Sequence, residues 1–201
     1  MPSWELERAA ARRGCRTVCG CDEAGAGPLA GRVYAGAVIL PDGLELPYLN
    51  DSKKVTEKRR DTLYDQIVDR AVSWAVAWVE PEEIDALDIL SCRMKAMQLA
   101  IDRLDPKPDL ALVDGNRDHG KQFAITTPHE LIVKGDSLSV SIAAASILAK
   151  VSRDRYMVEM GKVYPQYEFA SHKGYGTMRH YELLREFGPC PIHRRTFLKK
   201  L

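Results

Sequence analysis

The segment Cys21-Asp22-Glu23-Ala24-Gly25-Ala26-Gly27-Pro28-Leu29-Ala30-Gly31 places two adjacent acids at the end of an apolar run, directly before a glycine-rich turn. The run Thr17-Val18-Cys19-Gly20-Cys21 has little helical character and reads as a short buried strand. Alternation along a strand sends Asp22 and Glu23 to opposite faces. The pattern therefore predicts that the strand ends between them, with Gly25 and Gly27 supplying the bend. Two unpaired carboxylates at a strand end repel one another, and a divalent cation relieves the repulsion. A polar strand-to-turn exit would look the same in isolation, so the remainder of the chain has to separate the two readings.

With 201 residues, 45% of them hydrophobic, the chain can fill one sizeable core. One domain over residues 1–201 is expected, with residues 1–16 as a short N-terminal extension whose segment Trp4–Arg13 reads as a helix closed by Gly14. The net charge of +1 excludes a global basic field, so any nucleic acid must be held by a local patch. No apolar run is long enough to span a membrane, and the N-terminus has no apolar secretory core. Five cysteines, at positions 15, 19, 21, 92 and 190, form no C-x-x-C pair. Reduced thiols in a cytoplasmic protein fit that pattern.

Val33–Leu40 is apolar almost throughout and reads as a central strand. In Val72–Trp78 bulky residues alternate with Ser73, Ala75 and Ala77, giving a strand with one bulky and one slim face. Thr56–Arg70 has helical spacing, and Leu90, Met94, Met97, Ile101 and Leu104 mark an amphipathic helix. Leu110–Val113 and Glu130–Val133 are two further strands, ending at Asp114-Gly115 and Lys134-Gly135-Asp136. An alanine-rich helix follows over about residues 139–162, its small residues suited to close packing on a sheet. The expected fold is α/β, a mixed five-stranded sheet flanked by helices with a helical C-terminal portion.

Three strands thus end in acids: Asp22-Glu23, Asp114 and Asp136. Strand ends along one edge of an α/β sheet are where such folds build sites. A cluster of carboxylates with no histidine or cysteine among them favours Mg²⁺ or Mn²⁺ over zinc. Paired ions of that kind serve displacement at a phosphodiester. Singly, Asp114 could be a turn residue before glycine and Asp136 an N-cap for the long helix; turns alone would not require all of them together.

Cations and aromatics accompany the acids. Lys53 lies in Asn50-Asp51-Ser52-Lys53-Lys54, Lys173 and Tyr175 in Ser171-His172-Lys173-Gly174-Tyr175-Gly176-Thr177, and Arg194 in His193-Arg194-Arg195-Thr196-Phe197. Lysine, arginine and tyrosine on glycine-containing loops suit phosphate contacts with stacking on a sugar or base. The run Lys58-Arg59-Arg60 reads as a solvated helix face. Gly25–Gly31 is not a nucleotide-binding P-loop, because no Lys-Ser or Lys-Thr follows it.

Together these stretches resemble the type 2 ribonuclease H (ribonuclease HII) family from Thr17 to Phe197. The matching residues are Asp22-Glu23-Ala24-Gly25, Asn50-Asp51-Ser52-Lys53-Lys54, Val113-Asp114-Gly115-Asn116 and Lys134-Gly135-Asp136-Ser137. Ala144–Asp154, Tyr164-Pro165-Gln166-Tyr167, His172-Lys173-Gly174-Tyr175 and His193–Phe197 complete them. The resemblance implies a ribonuclease H-like sheet and a monomeric cytoplasmic enzyme acting on RNA–DNA hybrids and on single ribonucleotides within duplex DNA, a chemistry of replication and repair. It implies that Asp22, Glu23, Asp114 and Asp136 bind Mg²⁺ or Mn²⁺ and are the catalytic acids. Activated water would attack the phosphate, leaving 3′-hydroxyl and 5′-phosphate ends. Gly25, Ala26 and Gly27 would sense the 2′-hydroxyl, Tyr175 would stack on the junction sugar, and Lys53 and Lys173 would contact phosphates, with Arg194 part of the same basic patch.

One position departs from the family pattern. Ala26 stands where Gly-Arg-Gly or Gly-Lys-Gly is usual, and Arg32 is the nearby cation that could replace the missing charge. Two other functions fit the same residues: a ribonuclease H-like nuclease of different specificity, and a hybrid-binding protein with reduced catalysis.

Overall fold

The computed structural model describes residues 1–198. Five strands form one sheet: β1 (Val18–Ala24), β2 (Val33–Ile39), β3 (Ser73–Val79), β4 (Leu110–Asp114) and β5 (His129–Ile132). Their order is β3-β2-β1-β4-β5. β1, β2 and β3 pair antiparallel, whereas β4 runs parallel to β1 and β5 parallel to β4. The mixed sheet expected from the sequence is the observed one, with β2 buried along its whole length between two neighbours.

Helix α5 (Val140–Val163) crosses one face of the sheet at unusually short range. Two strand glycines allow it. A Cβ on Gly20 would lie 2.1 Å from the Ser141 carbonyl carbon, and one on Gly36 would lie 2.5 Å from the Ala145 oxygen. Any side chain at either position would lift the helix off the sheet. Helix α2 (Glu57–Arg70) packs beside α5 through Leu63 and Ile67.

Helix α4 (Ile89–Asp102) covers the other face, where Met94, Met97 and Ile101 meet Cys19, Cys21, Ala35, Ala37, Ala75 and Ala77. The slim face of β3 is therefore the buried one. Its bulky face lies at the sheet edge, where Trp74 and Trp78 stay 37% and 40% exposed. The short helix α3 (Pro81–Ala86) leads into α4. Helices α6 (Phe169–His172) and α7 (Met178–Phe187) form the helical C-terminal portion, closed around Met157, Tyr167, Phe169, Leu183 and Leu184.

The N-terminal helix α1 (Glu5–Arg12) is tied to the start of α5. One carboxylate oxygen of Glu7 accepts from Ser141 N at 2.9 Å, from Ser141 Oγ at 2.7 Å and from Ser139 Oγ at 2.5 Å. A buried anion at a helix N-terminus satisfies orphan N–H groups and complements the helix dipole. Ser139 is the N-cap of α5, accepting from Ile142 N at 3.1 Å, so Asp136 is free of that duty. Among the described residues, no helix is long and apolar enough to cross a membrane.

Candidate active site

The four predicted acids meet at the carboxyl edge of the sheet, in a cleft of about 670 Å³ that they line with Gly25, Ala26, Gly27, Lys53 and Tyr175. The expectation that the strand ends between Asp22 and Glu23 is corrected: β1 continues to Ala24, pairing Asp22 with Gly36 and Glu23 with Ala35 of β2. Asp22 consequently lies on the α5 face, as Gly20 does, and Glu23 on the α4 face, as Cys19 and Cys21 do. They serve one cleft because the sheet edge itself is the site, so neither carboxylate has to pass through the sheet. The first paired residues short of that edge, Cys21 and Val113, are cross-strand partners in β1 and β4. One step further along each strand brings Asp22 level with Asp114.

Asp136 reaches the cleft from a single 3₁₀ turn, Gly135–Ser137, placed beyond the end of β5 by Lys134 in the left-handed region (φ 57°). Gly135 N–H donates to Asp114 Oδ1 at 2.6 Å, which ties this turn to the end of β4. Asp22 Oδ1 accepts from Glu23 N at 2.7 Å. Glu23 pairs with Arg93 of α4 at 2.5 Å, while its second oxygen is buried without a partner.

The cluster carries more negative charge than its surroundings balance. Burial, then the charges of Glu23 and Asp114, push the Asp22 carboxyl well above the usual carboxylate range. Burial raises Glu23 too, against the pull of Arg93. Asp136 is raised by burial and by Asp51 and Asp114. Among the described residues, no three histidine, cysteine or acidic side chains stand as a ready-made metal cage; Glu23 is paired with Arg93, and Asp22 and Asp114 each accept from a backbone N–H. The donor chemistry nonetheless fits a hard divalent cation: oxygen-only ligands, mutual repulsion, and an orphaned Glu23 oxygen.

Two buried arginines hold the glycine loop from behind. Arg194, with no exposed surface, donates to the carbonyls of Gly31 at 2.9 Å, Ala26 at 3.0 Å and Gly25 at 2.6 Å. Read from sequence as a member of a surface patch, it lies under the loop with every nitrogen occupied. Burial, and then Arg153, push its guanidinium down to about 9. Arg153, also fully buried, donates to the carbonyls of Arg32, Ala30 and Lys173 at 3.0–3.3 Å. A Cβ on Gly25 (φ +92°) would fall 2.1 Å from Arg153 Nε, so glycine is required there. Asp85 fixes the segment that carries Arg194, accepting from Arg195 N at 2.8 Å and Thr196 N at 2.9 Å.

Tyr175 is 42% exposed at the cleft rim, with Lys150 Nζ 5.8 Å and the Arg153 guanidinium 5.5 Å from its ring centroid. Lys53 lines the cleft, but Lys173 does not; its ammonium bonds the Ala170 carbonyl. Arg32 also lies elsewhere, paired with Glu80 at 2.7 Å and set against the rings of Trp78 and Tyr156. It therefore does not replace the cation missing at Ala26. Two cations missed as site residues do line the cleft, Lys150 and Arg60. Arg60 corrects the reading of Lys58-Arg59-Arg60 as wholly solvated, because it turns inward to the carbonyls of Ser52 and Val55. The signal for Lys150 was its place within Ala149-Lys150-Val151, where Asp154 lies one helical turn on and pairs with it at 2.7 Å.

The chain is similar to known proteins over most of its length. The ribonuclease HII of Idiomarina loihiensis is 53% identical over 180 residues, 90% of this chain and 94% of that protein. The ribonuclease HII of Endomicrobium trichonymphae is 53% identical over 186 residues, 92% and 87% of the two chains. The crystal structure of the ribonuclease H2 from Pyrococcus horikoshii OT3 superposes with a TM-score of 0.74 at 28% identity, covering 90% of this chain and 93% of that one. The family model described as Ribonuclease HII matches residues 19–200, a span that holds every acid and loop of the cleft, and the chain belongs to that family.

Proposed function

We propose that this ribonuclease H cuts the RNA strand of RNA–DNA hybrids, and duplex DNA at single embedded ribonucleotides, by two-metal-ion hydrolysis that leaves 3′-hydroxyl and 5′-phosphate ends. The observation that carries the reading is the meeting of Asp22, Glu23, Asp114 and Asp136 at one sheet edge beside a rigid glycine loop. Mg²⁺ or Mn²⁺ bound there would neutralise the carboxylates, polarise the scissile phosphate and activate water. The chain's own residues supply binding and selection. Backbone groups of Gly25–Gly27 address the 2′-hydroxyl that distinguishes RNA from DNA. Tyr175 stacks on the sugar, and Lys53 and Lys150 face phosphates. Arg194 contributes by holding the loop, and Lys173 by its backbone grip on Arg153. All four acids and the glycine loop come from one chain, which is consistent with action as a monomer, and five free thiols support a cytoplasmic setting.

The test is cleavage of an RNA–DNA hybrid and of a duplex with one ribonucleotide, with and without Mg²⁺ or Mn²⁺, followed by analysis of the ends. Products that a ligase joins directly support the reading; cleavage undiminished by chelation would overturn it. Ala26 sharpens the test. An arginine there would add charge-assisted hydrogen bonds to a phosphate, each worth roughly 1.5–3 kcal/mol. Ala26→Arg is expected to raise kcat/KM by about ten- to a hundredfold on the single-ribonucleotide duplex. Arg32→Ala is expected to leave it unchanged, because Glu80, Trp78 and Tyr156 already occupy that side chain.

A further inference from the structure

Behind the loop that carries Tyr175 lies a cluster of buried imidazoles: His180 has no exposed surface and His193 has 2%. Their hydrogen bonds leave one assignment of protons. The Cys190 backbone N–H donates to His193 Nδ1 at 2.9 Å, so that nitrogen carries no proton. A neutral His193 then holds its proton on Nε2, which lies 3.0 Å from His180 Nε2. His180 Nε2 must accept, and the His180 proton resides on Nδ1, 2.9 Å from the Tyr175 carbonyl oxygen. That oxygen can only accept, so the chain of donors closes. Independently, His172 Nδ1 accepts from Gly174 N–H at 3.1 Å and its Nε2 lies 2.7 Å from the Tyr167 carbonyl. His172 stacks on His180 with centroids 4.2 Å apart.

A proton added to either ring of the pair would set N–H against N–H. Burial accordingly pushes His180 and His193 down to about 4. All four ring nitrogens of the pair are engaged, with each other, with the Tyr175 carbonyl and with the Cys190 N–H, so the pair has no lone pair left to ligate a metal.

We propose that His180 and His193 form a fixed relay of neutral imidazoles that positions Tyr175 by gripping its backbone carbonyl, making His180 a positioning residue for ribonucleotide selection. The inference rests on the role given to Tyr175 above. The relay runs from the Cys190 turn, closed by His193 N–H on the Cys190 carbonyl at 3.0 Å, to the carbonyl of the residue whose ring forms the cleft rim. The same carbonyl accepts from Thr177 N–H at 2.8 Å, and the loop is further held by Tyr175 N–H on the His172 carbonyl at 2.9 Å, Leu29 N–H on the Gly174 carbonyl at 2.9 Å and Arg153 on the Lys173 carbonyl at 3.0 Å. His180 supplies the side-chain bond that fixes the Tyr175 carbonyl from the core side. Loss of the relay removes the side-chain grip on that carbonyl and loosens the ring without touching the acids.

The first test is nitrogen NMR of the histidines in the intact protein near neutral pH. The expected pattern is Nδ1–H for His180 and Nε2–H for His172 and His193, all neutral; an Nε2–H His180 or a charged ring in the pair would overturn the relay. The second is single-turnover kinetics on a duplex with one ribonucleotide. His180→Leu is expected to lower kcat/KM about ten- to thirtyfold, while His180→Asn, whose amide N–H can replace Nδ1–H, restores most of it. Should His180→Leu fail to fold, His193→Met, which removes the Nε2–H donor to His180, provides the weaker break, expected to cost about three- to tenfold. The Leu and Asn variants behaving alike, or His193→Met cutting at the wild-type rate, would overturn the positioning role. Tyr175→Ala separates the failures. If Tyr175→Ala cuts normally, the role of Tyr175 is wrong and the positioning role falls with it; if it is impaired while the histidine variants are not, only the relay is wrong.

Discussion

Asp114→Asn is expected to leave a folded protein whose cleavage of a single-ribonucleotide duplex falls by on the order of a thousandfold or more. Asparagine keeps an oxygen for the Gly135 N–H that Asp114 now receives at 2.6 Å, so the turn carrying Asp136 stays anchored. What disappears is one negative charge at the meeting point of β1, β4 and that turn. Without metal, the loss relieves repulsion on Asp22, Glu23 and Asp136, all raised in part by the Asp114 charge. The melting temperature is therefore expected to hold or rise. The pH dependence gives a second readout. A carboxyl raised in the folded state binds protons that the unfolded chain has already released, so it destabilises at neutral pH and metal-free stability rises as pH falls through the raised values. Asp114→Asn should flatten that rise, and it should also lose most of the increase in melting temperature that Mg²⁺ gives the wild type. A folded variant cutting at the wild-type rate would show that these acids do not act together.

Arg194→Met is expected to give the largest loss of stability, about 3–5 kcal/mol, because the carbonyls of Gly25, Ala26 and Gly31 lose their donor inside the protein. For a chain of 201 residues this corresponds to a fall in melting temperature of roughly 7–12 °C. Relief of the crowding between Arg194 and Arg153 offsets part of the loss, since each guanidinium is held in an environment that disfavours its charge. Below the transition, the loop is no longer fixed against the acids, and kcat/KM is expected to drop about ten- to a hundredfold. Arg194→Lys should recover little, as one ammonium cannot reach three divergent carbonyls. A melting temperature within about 2 °C of wild type for Arg194→Met would contradict the strapping role assigned to this side chain.

The strands, the long helix and the four acids were legible in the sequence because each leaves a local mark. Apolar runs of strand length end in acids, and α5 announces its close packing by its alanines. The glycines opposite it, Gly20 and Gly36, are legible only as gaps in apolar strands; their reason lies in Ser141 and Ala145, more than a hundred residues away in sequence. The continuation of β1 through Glu23 was missed because the pattern gives no measure of how far β2 keeps pairing beyond the apolar run. Arg194, Arg60 and Lys150 were misplaced or overlooked for a common reason. A cation's charge is visible in sequence, but whether it faces phosphate, solvent or a buried carbonyl depends on which loop folds over it. The histidine relay has no sequence signature at all, since His172, His180 and His193 are joined only by the closure of the C-terminal helices over α5.

The central claim is that one sheet edge of carboxylates and one strapped glycine loop together make a metal-dependent cut directed by a ribonucleotide. Single-turnover cleavage of a duplex carrying one ribonucleotide, beside the same duplex made wholly of DNA, with Mg²⁺ and again after chelation, tests it most directly. The expected result is one cut at the ribonucleotide with Mg²⁺, none after chelation, and an intact DNA duplex throughout. Equal cutting of the DNA duplex, or cutting that survives chelation, would contradict it.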